Sequence, residues 1–287
     1  MRVEETGGGI QKIIHQIWIG DNPVPQEWMD TVKAFADKHG YEYKLWGDNS
    51  INELDANVIP GLRELYDKFA DQPAGRADIL RILALYKHGG IYIDADSVIM
   101  KDDKFAKFLD DNRAPVFFGW EDLNDDDIAK LGDIGEDNKK AKRLVANGLI
   151  GGHKGHPLLK RILEGLVENT NSQGEKGSKE AWKTVGPLYV TNIYNKTREE
   201  FPDVHVYPMK YFYPIRWHNI TDHEMHKKIT IPEESMLFQY GYSTNGFGDI
   251  FRKLREKGKA SSGGKRIRRT RRKNKRKQRQ ATRKRKD

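Results

Sequence analysis

The residues of this sequence best suited to chemistry lie between Gly75 and Met100, in GRADILRILALYKHGGIYIDADSVIM. Asp94 and Asp96 flank one small residue, directly after the apolar triplet Ile91-Tyr92-Ile93. Two carboxylates this close repel one another when both are ionised, so a cation or a proton must resolve the pair. A hard divalent metal shared with a diphosphate is the economical solution, because carboxylate and phosphate oxygens are the ligands such ions prefer. An acidic turn that binds nothing is the plain alternative. Upstream, Asp78 and Arg81 are three residues apart and share one face of a helix, while Ile79, Ile82, Leu83 and Tyr86 cover the inward side. By itself that spacing describes a surface ion pair as well as it describes a binding pair.

Such residues need elements to position them. Gly75 to His88 has helical periodicity and is stopped by Gly89-Gly90, and Ile91 to Ile93 is a short strand that delivers the aspartates where the chain leaves the sheet. Lys12 to Ile19 (KIIHQIWI) is a near-continuous apolar run ended by Gly20, Pro23 and Pro25, the pattern of a buried parallel strand. Trp28, Val32, Phe35 and Ala36 recur at helical spacing, and Tyr41 to Trp46 predicts a second strand. Pro115 to Trp120 predicts another, followed by a polar loop from Glu121 to Lys140; Leu149-Ile150 predicts a further strand, and Pro157 opens a helix carrying Leu159, Ile162, Leu163 and Leu166. Strands interleaved with helices imply a layered α/β body whose sites lie beyond the carboxyl ends of the strands. The sequence contains no internal repeat.

The chain has 287 residues, of which 37% are hydrophobic, enough for one large domain with an appendage. It contains no cysteine, which excludes disulfides, thiolate zinc sites, iron–sulfur clusters and cysteine nucleophiles. The opening MRVEETGGGI lacks the basic end and apolar run of a secretory signal, and no stretch approaches ~18 uninterrupted apolar residues. The expectation is a cytoplasmic protein with no signal peptide and no transmembrane segment. Gly7-Gly8-Gly9 lacks the later glycines and lysine of a phosphate loop, so residues 1–9 are expected to be a flexible leader.

The net charge of +9 is unevenly placed. Lys259 to Asp287 holds 16 of the 51 Lys and Arg but one of the 42 acids, so this stretch carries +15 and the remainder −6. With one Ile and no aromatic residue, residues 259–287 cannot bury enough surface to offset the entropy of ordering, and a disordered tail is expected. It would contact nucleic acid or another polyanion without sequence specificity, weakening steeply with salt. The acidic run Asp122 to Asp127 is read as solvated rather than as a cation site.

The block RADILRILALYKHGGIYIDAD resembles the sugar-binding Asp-x-Asp region of glycosyltransferase family 32, whose members include fungal initiating mannosyltransferases and bacterial capsule enzymes. It is also similar to the glucosyltransferase domain of the large clostridial toxins. IIHQIWIG (Ile13 to Gly20) and YEYKLW (Tyr41 to Trp46) resemble the family's first two strands, and NGLIGG (Asn147 to Gly152), His156-Pro157 and Gly186-Pro187 are similar to later landmarks, so the resemblance covers roughly residues 10 to 240. It implies a GT-A-type, Rossmann-like nucleotide-sugar-binding domain over residues 10–258, with a central mixed sheet flanked by helices. The basic tail resembles those on proteins of large DNA viruses, which would place the chain in host cytoplasm or virion; a nuclear address is the alternative.

The resemblance also implies roles. A UDP- or GDP-hexose would lie across the crevice with Mn²⁺ or Mg²⁺ bridging its phosphates, and the hexose would pass with retention to a glycan or protein acceptor. Asp96 would ligate the metal directly; Asp94 would contact ribose and sugar hydroxyls and reach the metal through water. Asp78 and Arg81 would hold the transferred sugar, with Arg81 favouring charge on the leaving phosphate. Tyr92 would line the donor site, Trp18 would stack on the nucleobase, and Asn147 would lie near sugar or acceptor. Core packing is the alternative for Trp18, and His15 is read as a core or supporting residue. The sequence departs from the family where a His-x-Trp followed by Ser-Trp completes the site: here stands FQYGYSTN, in which Gln239, Ser243 or Asn245 could offer oxygen to a metal, with Trp217-His218 as an alternative from an earlier loop. Three functions follow: a metal-dependent retaining glycosyltransferase, an inactive glycosyltransferase-like protein that binds polyanions through its tail, and a nucleotide-sugar hydrolase or phosphotransfer enzyme.

Overall fold

A computed structural model describes residues 9–173, 180–216 and 230–241; the tail, Trp217-His218, Ser243 and Asn245 lie outside the described residues. Contacts group Met1–Gly241 into one unit. Its centre is a six-stranded mixed sheet of β1 (Ile13–Ile17), β2 (Glu42–Trp46), β3 (Gly90–Ile93), β5 (Val116–Asp122), β6 (Arg143–Gly152) and β7 (His205–Tyr207), in the order β2-β1-β3-β6-β5-β7. β1 runs parallel to β2 and β3, β5 parallel to β7, and β6 antiparallel to both its neighbours. A separate antiparallel ribbon joins β4 (Ser97–Ile99) to β8 (Leu237–Gln239). The expected α/β architecture with a central mixed sheet flanked by helices is therefore present.

The strand predicted at Leu149-Ile150 is much longer than expected. β6 spans ten residues, and burial of all but the first reflects its place between β3 and β5. The polar loop expected from Glu121 to Lys140 is corrected in part: β5 continues to Asp122, and helices occupy Asp125–Leu131 and Glu136–Ala141. The first is started by a capping box in which Asn124 and Asp127 each accept the other's backbone N–H. Asp127 is thereby buried, whereas Asp125 and Asp126 remain exposed, so only part of the acidic run is solvated.

The helix Gln26–His39 buries Trp28, Val32, Phe35 and Ala36, the residues its periodicity singled out, plus Met29. The helix Pro73–His88 buries Ile79, Leu80, Ile82 and Leu83 against one face of the sheet. Each such side chain is worth about 1.5–3 kcal/mol on full burial, ample to hold the polar residues this helix also carries inward. It ends at Gly89 and Gly90, with φ of +66° and +103°, values that a Cβ would strain. At Gly90 a Cβ would also lie 2.5 Å from the Ile13 carbonyl, so the glycine lets the chain turn directly into β3 beside β1.

His15 is a core residue. Its Nε2–H donates to the Gly89 carbonyl at 2.8 Å, and its Nδ1 accepts from Trp46 Nε1 at 3.0 Å, which fixes the neutral tautomer. Burial lowers its pKa from 6.5 to about 4. The folded state thus binds fewer protons than the unfolded chain between these values, and the stabilisation present above pH 6.5 is lost as pH falls towards 4. The expected loss is about 3 kcal/mol. Asp78, described below, acts in the opposite sense over a similar range, so the two contributions oppose one another in the wild type. Urea denaturation of wild type and His15→Gln at pH 7 and 4.5 isolates the histidine; parallel stability changes in the two proteins would contradict the assignment.

Candidate functional site

The helix Pro73–His88, the end of β3 and the middle of β6 converge on one buried guanidinium. Arg81 Nη2 pairs with Asp78 Oδ1 at 3.1 Å and Nη1 with Asp94 Oδ1 at 3.2 Å, at side-chain exposures of 8%, 9% and 18%. Nη1 also donates to the Asn147 carbonyl at 2.6 Å, and the guanidinium lies 4.5 Å from the Tyr92 ring centroid. Asn147 Nδ2 donates to Asp78 Oδ1 at 2.8 Å. The structure thus brings Asp78, Arg81, Tyr92, Asp94 and Asn147 into one network, and Asp78 with Arg81 is a buried pair rather than a surface one.

Burial in this network works against ionisation of its acidic groups. Burial pushes the Asp78 carboxyl up to about 6, with Asp94 adding to the rise, while Arg81 and Asn147 oppose it. Because its folded pKa lies above the ordinary 3.8, ionised Asp78 opposes folding as pH rises through 6. Burial likewise raises the Tyr92 hydroxyl well above its ordinary value, so it is a hydrogen-bond donor at neutral pH. Around one guanidinium stand Asp78 and Asp94, with Asp96 two residues on, an excess of anionic oxygen that a hard cation relieves.

Asp94 is held at every polar atom. Its Oδ1 accepts from the Tyr92 hydroxyl at 2.6 Å, its Oδ2 from Gln239 Nε2 at 2.6 Å, and its backbone N–H donates to the Gly148 carbonyl at 2.8 Å. Its own carbonyl accepts from Gln16 Nε2 at 3.2 Å and from the Ser97 N–H at 3.0 Å. Asp96 is 4% exposed, and its carbonyl accepts from the Tyr240 N–H at 2.9 Å, which docks the β4–β8 ribbon on the Asp-x-Asp turn. Gln239 ends that ribbon's far strand, and Tyr240 directly after it stacks on Trp28 with ring centroids 4.5 Å apart.

Trp18 extends from the carboxyl end of β1, where its N–H pairs with the Trp46 carbonyl and its indole Nε1–H donates to the Asn22 carbonyl at 2.9 Å. It is half-buried and does not join the core clusters. Gln16, two residues earlier, and Tyr43, whose hydroxyl donates to Gln16 Oε1 at 2.8 Å, are site residues that sequence reasoning did not find. Tyr213 is another: its hydroxyl accepts the Leu149 N–H at 2.6 Å beside the network. Gly186, at the start of the helix Pro187–Thr197, passes so close that a Cβ there would lie 2.8 Å from Asp78 Oδ2.

Mn²⁺ and Mg²⁺ prefer oxygen ligands, and the buried Asp96 carboxyl on the Asp-x-Asp turn is of the chemistry that fits such an ion. Among the described residues a second acidic group, His39 with Asp102 and Asp103, brings three possible ligand atoms together. There Lys38 Nζ pairs with both aspartates, so the group already has its cation.

Residues 25–113 match the family described as the glycosyltransferase sugar-binding region containing the DXD motif. Over 88 residues the chain is 43% identical to inositol phosphoceramide mannosyltransferase 3 of Schizosaccharomyces pombe, covering 30% of this chain and 24% of that one. Inositol phosphoceramide mannosyltransferase 2 of the same yeast is 28% identical over 203 residues, 68% of this chain and 49% of the relative, so the chain spans half or less of these two proteins. The uncharacterized glycosyltransferase L373 of Acanthamoeba polyphaga mimivirus is 28% identical over 214 residues, 73% of this chain and 75% of the relative. Among solved structures, the PaToxG glycosyltransferase superposes with a TM-score of 0.46 at 18% identity, over 67% of this chain and 70% of the other.

Proposed function

We propose that this chain, whose residues 25–113 match the DXD-motif glycosyltransferase family, is a metal-dependent retaining transferase that moves a hexose from a UDP- or GDP-sugar to a glycan or protein acceptor. The observation that carries this reading is the Arg81 centre, with Asp78 and Asp94 bound to one buried guanidinium at the mouth of β3. A structural ion pair would serve equally well on the surface, where it escapes desolvation. Burying two carboxylates on one cation beside a third makes sense where a polyhydroxylated, diphosphate-bearing ligand completes the set.

In this reading Asp96 holds Mn²⁺ or Mg²⁺. When bound, that ion neutralises charge on the departing nucleoside diphosphate. Asp94, tied by Tyr92, Arg81 and Gln239, presents a fixed carboxylate edge to hydroxyls of the donor. Asp78, braced by Asn147, orients the hexose, and Arg81 places positive charge where the leaving oxygen gains negative charge. Asp78 and Asp94 are both committed to the guanidinium, so attack is assigned to the acceptor hydroxyl on the face the diphosphate leaves, its proton passing to the departing diphosphate oxygen, which retains configuration. Trp18 provides a stacking surface for the base beyond β1.

A panel of UDP- and GDP-sugars with Mn²⁺ or Mg²⁺, with and without glycan and protein acceptors, tests the reading; GDP-mannose comes first because the fungal relatives are named as mannosyltransferases. Transfer with retained anomeric configuration is expected. An inert protein, or sugar release that ignores every acceptor, overturns the proposal. Trp18→Ala should weaken donor binding roughly 5- to 150-fold, the range of ~1–3 kcal/mol for one base stacked on an aromatic ring, read by calorimetry. Unchanged affinity would return Trp18 to a packing role.

A further inference from the structure

Within this glycosyltransferase reading, we infer that Gln239 is a positioning residue that acts through Asp94. The ribbon register sets Gln239 opposite Ser97, three residues after Asp94, and so brings a side chain from the far end of the described chain onto the Asp-x-Asp turn. Its Nε2 donates to Asp94 Oδ2 at 2.6 Å, while Oδ1 is taken by Tyr92 and Arg81. The two oxygens are thus held by different elements. Turning the carboxylate about its Cβ–Cγ bond would therefore break contacts at both oxygens, and the Gln239 amide supplies the one that holds Oδ2.

Gly148 supplies a second observation. A Cβ at this position would lie 2.7 Å from Asp94 Oδ2 and 2.9 Å from Gln239 Oε1, closer than real Cβ atoms approach. β6 therefore carries its glycine directly beneath the amide–carboxylate contact and leaves the space in which that contact forms. Asn147 and Gly148 divide the work of the Asn-Gly pair: one braces Asp78, the other admits Gln239 to Asp94. The Tyr240 N–H on the Asp96 carbonyl and the Tyr240 ring on Trp28 hold the ribbon in place without using the Gln239 side chain. The backbone docking should therefore survive when that side chain is shortened.

A double-mutant cycle with Gln239→Leu and Asp94→Ala tests this, with kcat and KM for the donor, donor affinity by calorimetry and the melting temperature as readouts. Gln239→Leu is expected to lower kcat/KM roughly 10- to 100-fold, the usual cost of losing a partner that orients a ligand-bearing side chain, with its melting temperature near wild type. In the Asp94→Ala background the same substitution should change almost nothing. Should Gln239→Leu lose its fold, Gln239→Glu keeps the shape and sets a carboxylate against Asp94, and it is expected to lower activity at least as far. Losses that multiply in the double mutant overturn the inference while leaving a glycosyltransferase. A wild-type protein inert towards every donor overturns the functional reading and the inference together.

Discussion

Arg81→Met is expected to cost about 3–5 kcal/mol of folding stability and to abolish sugar transfer, although Met fills a similar volume. Removing the guanidinium leaves Asp78 and Asp94 facing one another at side-chain exposures of 9% and 18%, with nothing to balance them. The magnitude separates this pair from others of similar spacing. Lys107 with Asp111, a helical pair at 76% and 63% exposure, should contribute far less, because water screens it and both chains must be ordered. Urea denaturation of Arg81→Met and Lys107→Met at neutral pH makes the comparison. Adding Asp78→Asn to Arg81→Met should restore part of the lost stability, since one of the stranded carboxylates is then neutral while the Asn147 bond can re-form with an amide oxygen. A loss below ~1 kcal/mol for Arg81→Met would show that solvent reaches the guanidinium freely, and the Arg81 centre would lose its claim to be a site.

Much of that centre was legible in the sequence because it is built from neighbours along the chain. Asp78 and Arg81 share a helical face, Gly89-Gly90 marks the turn, and Tyr92 and Asp94 alternate on one side of a strand. Local periodicity constrains all of these. What periodicity could not supply was burial: the i,i+3 spacing of Asp78 and Arg81 suits a solvated pair equally well, and only the packing of the helix against β3 and β6 decides otherwise. Gln16 and Tyr43 escaped for a related reason. Gln16 sits in an apolar run where a polar residue carries no signature of its partner, and that partner is a backbone carbonyl 78 positions away. The pairing of β4 with β8 was equally hidden, since three-residue strands separated by about half the chain leave no pattern that either one shows alone. Gln239 was visible as an oxygen donor; its grip on Asp94 depends on that ribbon register.

Asp96→Asn should separate metal-dependent from metal-independent donor binding more sharply than any other single change. The substitution keeps shape and keeps the carbonyl that receives the Tyr240 N–H, so the ribbon stays docked and the melting temperature should fall by little. What it removes is the negative charge, and a neutral amide oxygen is a far poorer ligand for a hard divalent ion. The Lewis-acid contribution to a departing diphosphate is several kcal/mol, so losing it corresponds to at least roughly 100-fold in transfer rate. Asp94→Asn should behave differently: it weakens the Arg81 pair and its own hold on Gln239, lowering stability as well as activity, while some Mn²⁺ dependence persists through Asp96. Calorimetric titration of donor with and without Mn²⁺ distinguishes the two, because Asp96→Asn should bind donor equally weakly in both conditions. If Asp96→Asn instead retained the full gain in affinity on adding Mn²⁺, the direct ligand would have to be sought elsewhere on the Asp-x-Asp turn, and the division of labour between its two carboxylates would be reversed.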